Sequence, residues 1–251
     1  MLFEIISTQV GSLSDVTPSL ILTLGFVIGI QHATEADHVA AVATLVGKNK
    51  RLRNASLLGV FWGAGHTATL VAAGTVVMLF AVSIPSKLAN ILELGVGIML
   101  VTLGLSVVRK IWNIKPLDYF FGIFSLKHTH PHLHNDHIHI HEHEHDEAHT
   151  HSHKSILVGM VHGLAGSGAL MLIVLSTVDS IMTGLLYILL FGIGSIIGML
   201  GISTALGLPF VFTAKKYTNI NKYIRVIAAS ISIALGILII YEIGFTERLI
   251  F

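Results

Sequence analysis

The residues best able to do chemistry lie where an apolar chain should have none. From Gly29 to Val42 the sequence reads GIQHATEADHVAAV, so His32, Glu35, Asp37 and His38 crowd into a stretch preceded by LTLGFVI and followed by further apolar residues. Two imidazoles and two carboxylates can pair with one another, relay protons or ligate a cation. The simplest pairing is His32 with Glu35, neighbours at i,i+3 on a helix, with Asp37 reaching an interface. Insertion scales put an ionised side chain at the bilayer centre at about 2.5–3.5 kcal/mol, so the cluster needs partners or a water-filled cavity. The chain has no cysteine, and any metal must therefore be held by nitrogen and oxygen. Neutral imidazoles with a carboxylate suit nickel, cobalt, zinc or copper(II) far better than magnesium or calcium.

Spacing limits what one helix can do with these groups. At about 100° per residue, Asp37 lies roughly 140° and His38 roughly 240° from His32. No regular helix aims all three at one ion, so either the helix breaks here or a subset binds. Gly25 and Gly29 are compatible with a break, and broken backbone is tolerated at membrane depth where it lines a cavity. At least one further ligand has to come from another helix. Of the sixteen histidines, twelve lie between His128 and His153, which leaves His66 and His162 as the candidates. Each on its own could equally be a structural residue; His66 is the better choice.

The elements that must position these residues are membrane helices. Hydrophobic residues make up 53% of the chain, charged residues 12%, and the mean hydropathy is +0.79. Runs long enough to cross roughly 30 Å of hydrocarbon fall at 18–46, 54–82, 87–110, 155–177, 181–207 and 223–245. The expected fold is an all-α integral membrane protein with six transmembrane helices. Apart from Lys87 and Arg248, every Lys and Arg falls in one of three clusters: Lys48–Arg53, Arg109–Lys154 and Lys215–Arg225. These follow the first, third and fifth spans, so the positive-inside rule puts them in the cytoplasm and both termini outside. The first seventeen residues hold no Lys or Arg, unlike a cleavable signal peptide.

A weak internal repeat is also visible. VIGIQHATEADHVAAV lays over LVGMVHGLAGSGALML, matching Gly29 with Gly159 and His32 with His162, and VFWGAGHTAT lays over LFGIGSIIGM. With the two matched helices entering from opposite sides, a three-plus-three repeat would be inverted, as in secondary transporters. The expected organisation is a first three-helix half at 1–110, a cytoplasmic interfacial segment and His-rich loop at 111–154, and a second half at 155–251.

The loop reads KHTHPHLHNDHIHIHEHEHDEAHTHSHK. It carries His128, His130, His132, His134, His137, His139, His141, His143, His145, His149, His151 and His153, together with Asp136, Glu142, Glu144, Asp146 and Glu147. Too polar for a core, it is expected to be disordered without metal. Its many interchangeable imidazoles suit a buffer of weak metal sites better than one tight site. The preceding IWNIKPLDYFFGIFSLK has the aromatic and basic mix of a segment at the membrane interface.

His32 to His38 form the pattern H-x-x-x-x-D-H in a membrane helix, which resembles the signature of the nickel/cobalt transporter family. GAGHTAT, Gly63–Thr69, is similar to that family's Gly-His-Thr/Ser segment, and HGLAGSGAL, His162–Leu170, matches more loosely. The resemblance implies His32, Asp37, His38 and His66 as leading ligands, with Glu35 and His162 beside them. The family's uptake permeases usually have eight helices with the motif in the second. Six helices with the motif in the first resemble its shorter branch, which includes urease-associated proteins and nickel/cobalt exporters.

The function expected is secondary transport of nickel, and of cobalt, across the cytoplasmic membrane. Uptake is preferred because the motif keeps the full form of the permeases, and export is the alternative. A membrane accessory protein that binds metal without transport and an intramembrane metalloenzyme are further readings. Against an enzyme, His32 is followed by Ala33 rather than the Glu of H-E-x-x-H, and Ala165 stands where G-x-S-G would need glycine before Ser167. No nucleotide-binding motif is present. The expected partners are a divalent metal ion as substrate, the lipid bilayer and a cytoplasmic metallochaperone, with no permanently bound cofactor and no nucleic acid.

Overall fold

The computed structural model describes residues 18–47, 49, 51–80, 85–114, 132–134, 137–139, 147–165 and 180–246. The first apolar run is two helices, α1 (Pro18–His32) and α2 (Ala36–Val46), bent by 53° at the break between them. Then come α3 (Leu52–Phe80), α4 (Ser86–Trp112), strands β1 (His132–His134) and β2 (His137–His139), and α5 (Glu147–Ala165). Helices α6 (Ile181–Lys216) and α7 (Thr218–Tyr241) follow, the latter running into a π-helical turn at Glu242–Thr246.

Four of these helices are long and apolar enough to span a membrane, and the bent α1–α2 pair makes a fifth candidate. Their outward faces carry large apolar side chains exposed by a third or more of their surface, among them Val76, Leu79, Ile98, Ile197, Ile231 and Leu238. Lipid covers such a surface. The chain is a multi-pass, helical membrane protein. The expected span at 155–177 is described only as far as Ala165, and residues 166–179, Ser167 among them, lie outside the described residues, as does most of the interfacial segment.

Three boundaries differ from expectation. Helix α6 runs nine residues past 207, through Pro209. Tyr217 alone separates it from α7, so the third basic cluster occupies two helix ends rather than a loop. The Thr213 hydroxyl donates to the Pro209 carbonyl at 2.7 Å and Asn221 Nδ2 to the Phe210 carbonyl at 2.9 Å, tying that junction together. The His-rich loop is not without structure: β1 and β2 pair antiparallel, His132 opposite His139 and His134 opposite His137. The two residues left between them are Asn135 and Asp136, types that favour tight turns. Helix α5 starts at Glu147 and so takes in His149, His151 and His153, an acidic residue at its N-terminus being favourable to the helix dipole.

The core is built by close backbone contact. Helix α3 packs against α5 and α6, α1 against α6, and α4 against α7. A Cβ at Gly29 would stand 2.0 Å from the Phe191 carbonyl oxygen, and one at Gly159 would stand 2.1 Å from that of Trp62. Likewise Gly194 abuts the Phe26 carbonyl and Gly65 that of Ile156. Lipid tails are as apolar as leucine, so membrane helices associate through such small-residue contacts and interhelical hydrogen bonds. The hydroxyls of Ser155, Thr67 and Ser232 supply the bonds, donating to the carbonyls of Leu58 (2.7 Å), Gly192 (3.2 Å) and Leu100 (2.8 Å).

Gly29→Ala or Gly159→Ala should therefore lower the melting temperature in detergent, with an overpacking cost of about 1–3 kcal/mol. Gly201 has open space where its Cβ would go, so Gly201→Ala should be neutral or stabilising by up to about 1 kcal/mol. Equal losses at all three positions would refute the contact argument.

Candidate metal centre

The site begins with the break in the first helix. Thr34 satisfies the Gln31 carbonyl twice, through its amide at 2.9 Å and its hydroxyl at 2.6 Å, closing α1 locally. Glu35 then turns to extended backbone (φ −61°, ψ 148°) as the N-cap of α2, yet its side chain makes no cap hydrogen bond. Its Oε1 instead lies 2.9 Å from His32 Nδ1, outside hydrogen-bond alignment, and the carboxylate is exposed by 44%. The simple His32–Glu35 pairing is thus present, as one part of a larger cluster.

Because α2 starts in a new direction, His38 comes back beside His32, their ring centroids 4.5 Å apart. Helix α3 brings His66 to 5.2 Å from His32 and 5.4 Å from His38, and α5 brings His162 to 4.0 Å from His38. All four imidazoles are at most 2% exposed. Asp37, in the first turn of α2, bridges two of them: His38 Nδ1 is 3.0 Å from Oδ1 and His162 Nε2 is 2.9 Å from Oδ2. The His38 backbone amide also donates to Oδ1, at 2.8 Å.

Asp37 therefore links His38 of α2 to His162 of α5. His32, His38 and His66 can each offer one nitrogen to a common point, all within 4.8 Å of one another, and Asp37, His38 and His162 form a second such group. With His38 Nδ1 occupied by Asp37, Nε2 is the nitrogen it has free. His32 Nε2, His38 Nε2 and both nitrogens of His66 are buried without a hydrogen-bond partner. Buried polar atoms are nearly always satisfied, and lone pairs of this kind are what a divalent first-row metal ion accepts.

Two aromatic side chains close the cluster without having been singled out in the sequence. Trp62 packs 6.1 Å from His38 and 5.7 Å from His162, and Phe191 packs 5.3 Å from His32. Trp62 was legible, since it lies four residues before His66 on the same helix face; Phe191 had no comparable signal. In the loop, His132, His134, His137 and His139 fall in the strands and His149, His151 and His153 in α5. His128, His130, His141, His143 and His145 lie outside the described residues.

The urease accessory protein UreH of Bacillus sp. (strain TB-90) is 43% identical to this chain over 230 residues, covering 91% of this chain and 94% of that protein. The chain belongs to the nickel/cobalt transporter family. No family model and no solved structure matches it.

A buried imidazole with both nitrogens unpartnered costs about 1–3 kcal/mol. His66→Leu should therefore raise the melting temperature of metal-free protein. A lowered value would mean that the His66 nitrogens are satisfied in the folded protein.

Proposed function

We propose that this protein is a secondary transporter of nickel, and also of cobalt, in the cytoplasmic membrane. The observation that carries the reading is the set of unpartnered nitrogens on His32, His38 and His66, converging from three helices inside an apolar bundle. A dehydrated divalent ion needs such a pre-formed polar set, and intramembrane ionisable groups mark ion pathways. Toward the three-histidine set Asp37 acts through His38, orienting its ring and raising its basicity as carboxylates do behind metal-binding histidines. The kinship with a urease accessory protein supports nickel as the cargo. Ion gradients or the membrane potential supply the energy, and the protein has no resident cofactor and no enzymatic role.

The membrane topology we infer has six spans, the bent α1–α2 pair counting as the first and α5 belonging to the fourth. The basic clusters face the cytoplasm and both termini face outside. Halves at 1–110 and 155–251, flanking the loop at 111–154, form an inverted repeat. Paired contacts support that repeat: Gly29 meets the Phe191 carbonyl as Gly159 meets that of Trp62, and Gly194 meets Phe26 as Gly65 meets Ile156. Such repeats place their site at the interface and on interrupted helices, and a cluster drawn from the α1–α2 break, α3 and α5 agrees with that reading. Uptake is the direction favoured, with a cytoplasmic metallochaperone receiving the ion; export is the alternative.

Whole-cell nickel accumulation decides between them, since expression should raise accumulation for uptake and lower it for export. Wild-type proteoliposomes with no flux but intact metal binding would sink transport altogether. His38→Ala should abolish flux, whereas deleting 128–153 should only reduce it or change its concentration dependence. Nickel binding by the loop should weaken as pH falls through about 6.5, where protonated imidazoles lose the lone pair that binds metal.

A further inference from the structure

The two ligand groups are prepared differently. In the first, His32 Nε2, His38 Nε2 and both His66 nitrogens have no hydrogen-bond partner and stand ready to receive an ion. In the second, the ligand atoms are latched to one another, Asp37 Oδ1 with His38 Nδ1 at 3.0 Å and Asp37 Oδ2 with His162 Nε2 at 2.9 Å. An ion taking those same atoms displaces the two hydrogen bonds, while His162 Nδ1 has no partner.

One ion cannot use everything at once. The ligand atoms that lie within 4.8 Å of one another form two groups that share only His38, and neither group contains both His66 and His162. His38 stands between the groups and presents opposite ring edges to them. The groups also differ in charge. Three neutral imidazoles leave a divalent ion with its full +2, whereas Asp37 removes one unit, which stabilises a cation held in apolar surroundings.

We propose that the transported ion passes through two stations that share His38, held first by His32, His38 and His66 and then handed to Asp37, His38 and His162. The proposal rests on the transport reading above. His38 lines both stations, with Nε2 free for the first and Nδ1 paired with Asp37 in the second, so the ion passes between adjoining polar groups rather than through bare hydrocarbon. The first station sets capture and the second sets onward movement, with Asp37 releasing His162 as the ion arrives. Helix α2 carries the two shared groups, so a small movement of α5 relative to α3 changes which station is complete.

Steady-state nickel flux by the full chain in proteoliposomes tests this. His66→Gln should raise KM about tenfold or more, as expected for loss of a ligand that captures the ion. His162→Gln should lower maximal flux about tenfold while KM stays within about twofold of wild type. Equilibrium nickel binding to the purified proteins, read by dye competition at sub-stoichiometric metal, should weaken for His66→Gln and hold for His162→Gln, which also shows that the second variant is folded. If both variants raised KM and weakened binding alike, the cluster would be one site and the two-station proposal would fail while transport stood. Absence of flux in wild type would overturn both.

Discussion

Everything distinctive about this protein depends on the first membrane helix stopping at His32 and restarting at Ala36. A continuous helix would carry His38 to the far side from His32, and Asp37 could not reach α5. The interruption has local causes. Thr34 closes the end of α1, and Glu35 takes extended backbone while directing its carboxylate to His32 rather than to the new helix. The 53° bend then gathers residues of one short motif into two adjoining groups. The break itself, Thr34–Ala36, is exposed, whereas His32, Ala33 and His38 on either side of it are buried among the neighbouring helices, which ties the polar centre to the glycine contacts that let those helices approach.

The site is held in a state that stability alone would not select. Four imidazoles are packed almost without exposure, and several ring nitrogens go unsatisfied. Asp37 relieves part of that cost by bridging His38 and His162, and in doing so joins the first half of the chain to the second. What it leaves unrelieved is concentrated on His32, His38 and His66. Residues poised to bind often compromise the fold in this way, and the surrounding apolar helices supply the rigidity that prevents collapse.

The two histidine populations are physically different. Those in the loop are close together in sequence, interspersed with polar and acidic residues and chemically interchangeable. Those in the bundle are few, buried and individually positioned. Chemistry shared by both, imidazole with carboxylate and no thiolate, suits the same ions and gives the loop a supporting part.

Much was legible from sequence. Membrane location follows from composition, because a chain this apolar has no aqueous fold. That His32–His38 need polar partners follows from the cost of placing those groups in hydrocarbon, and that the partners come from other helices follows from helical angles. The sequence could not say how the break would divide the motif, because that depends on which neighbours α2 meets after turning. It therefore ranked His162 below His66, whereas packing sets His162 against Asp37 and His38. Nor could it find Phe191, which meets His32 only through the Gly29 contact of α1 with α6. The residue types determined what kind of ion this protein can hold; the tertiary structure decided which side chains face one another, because buried contacts between helices distant in sequence are set by backbone approach and not by spacing along the chain.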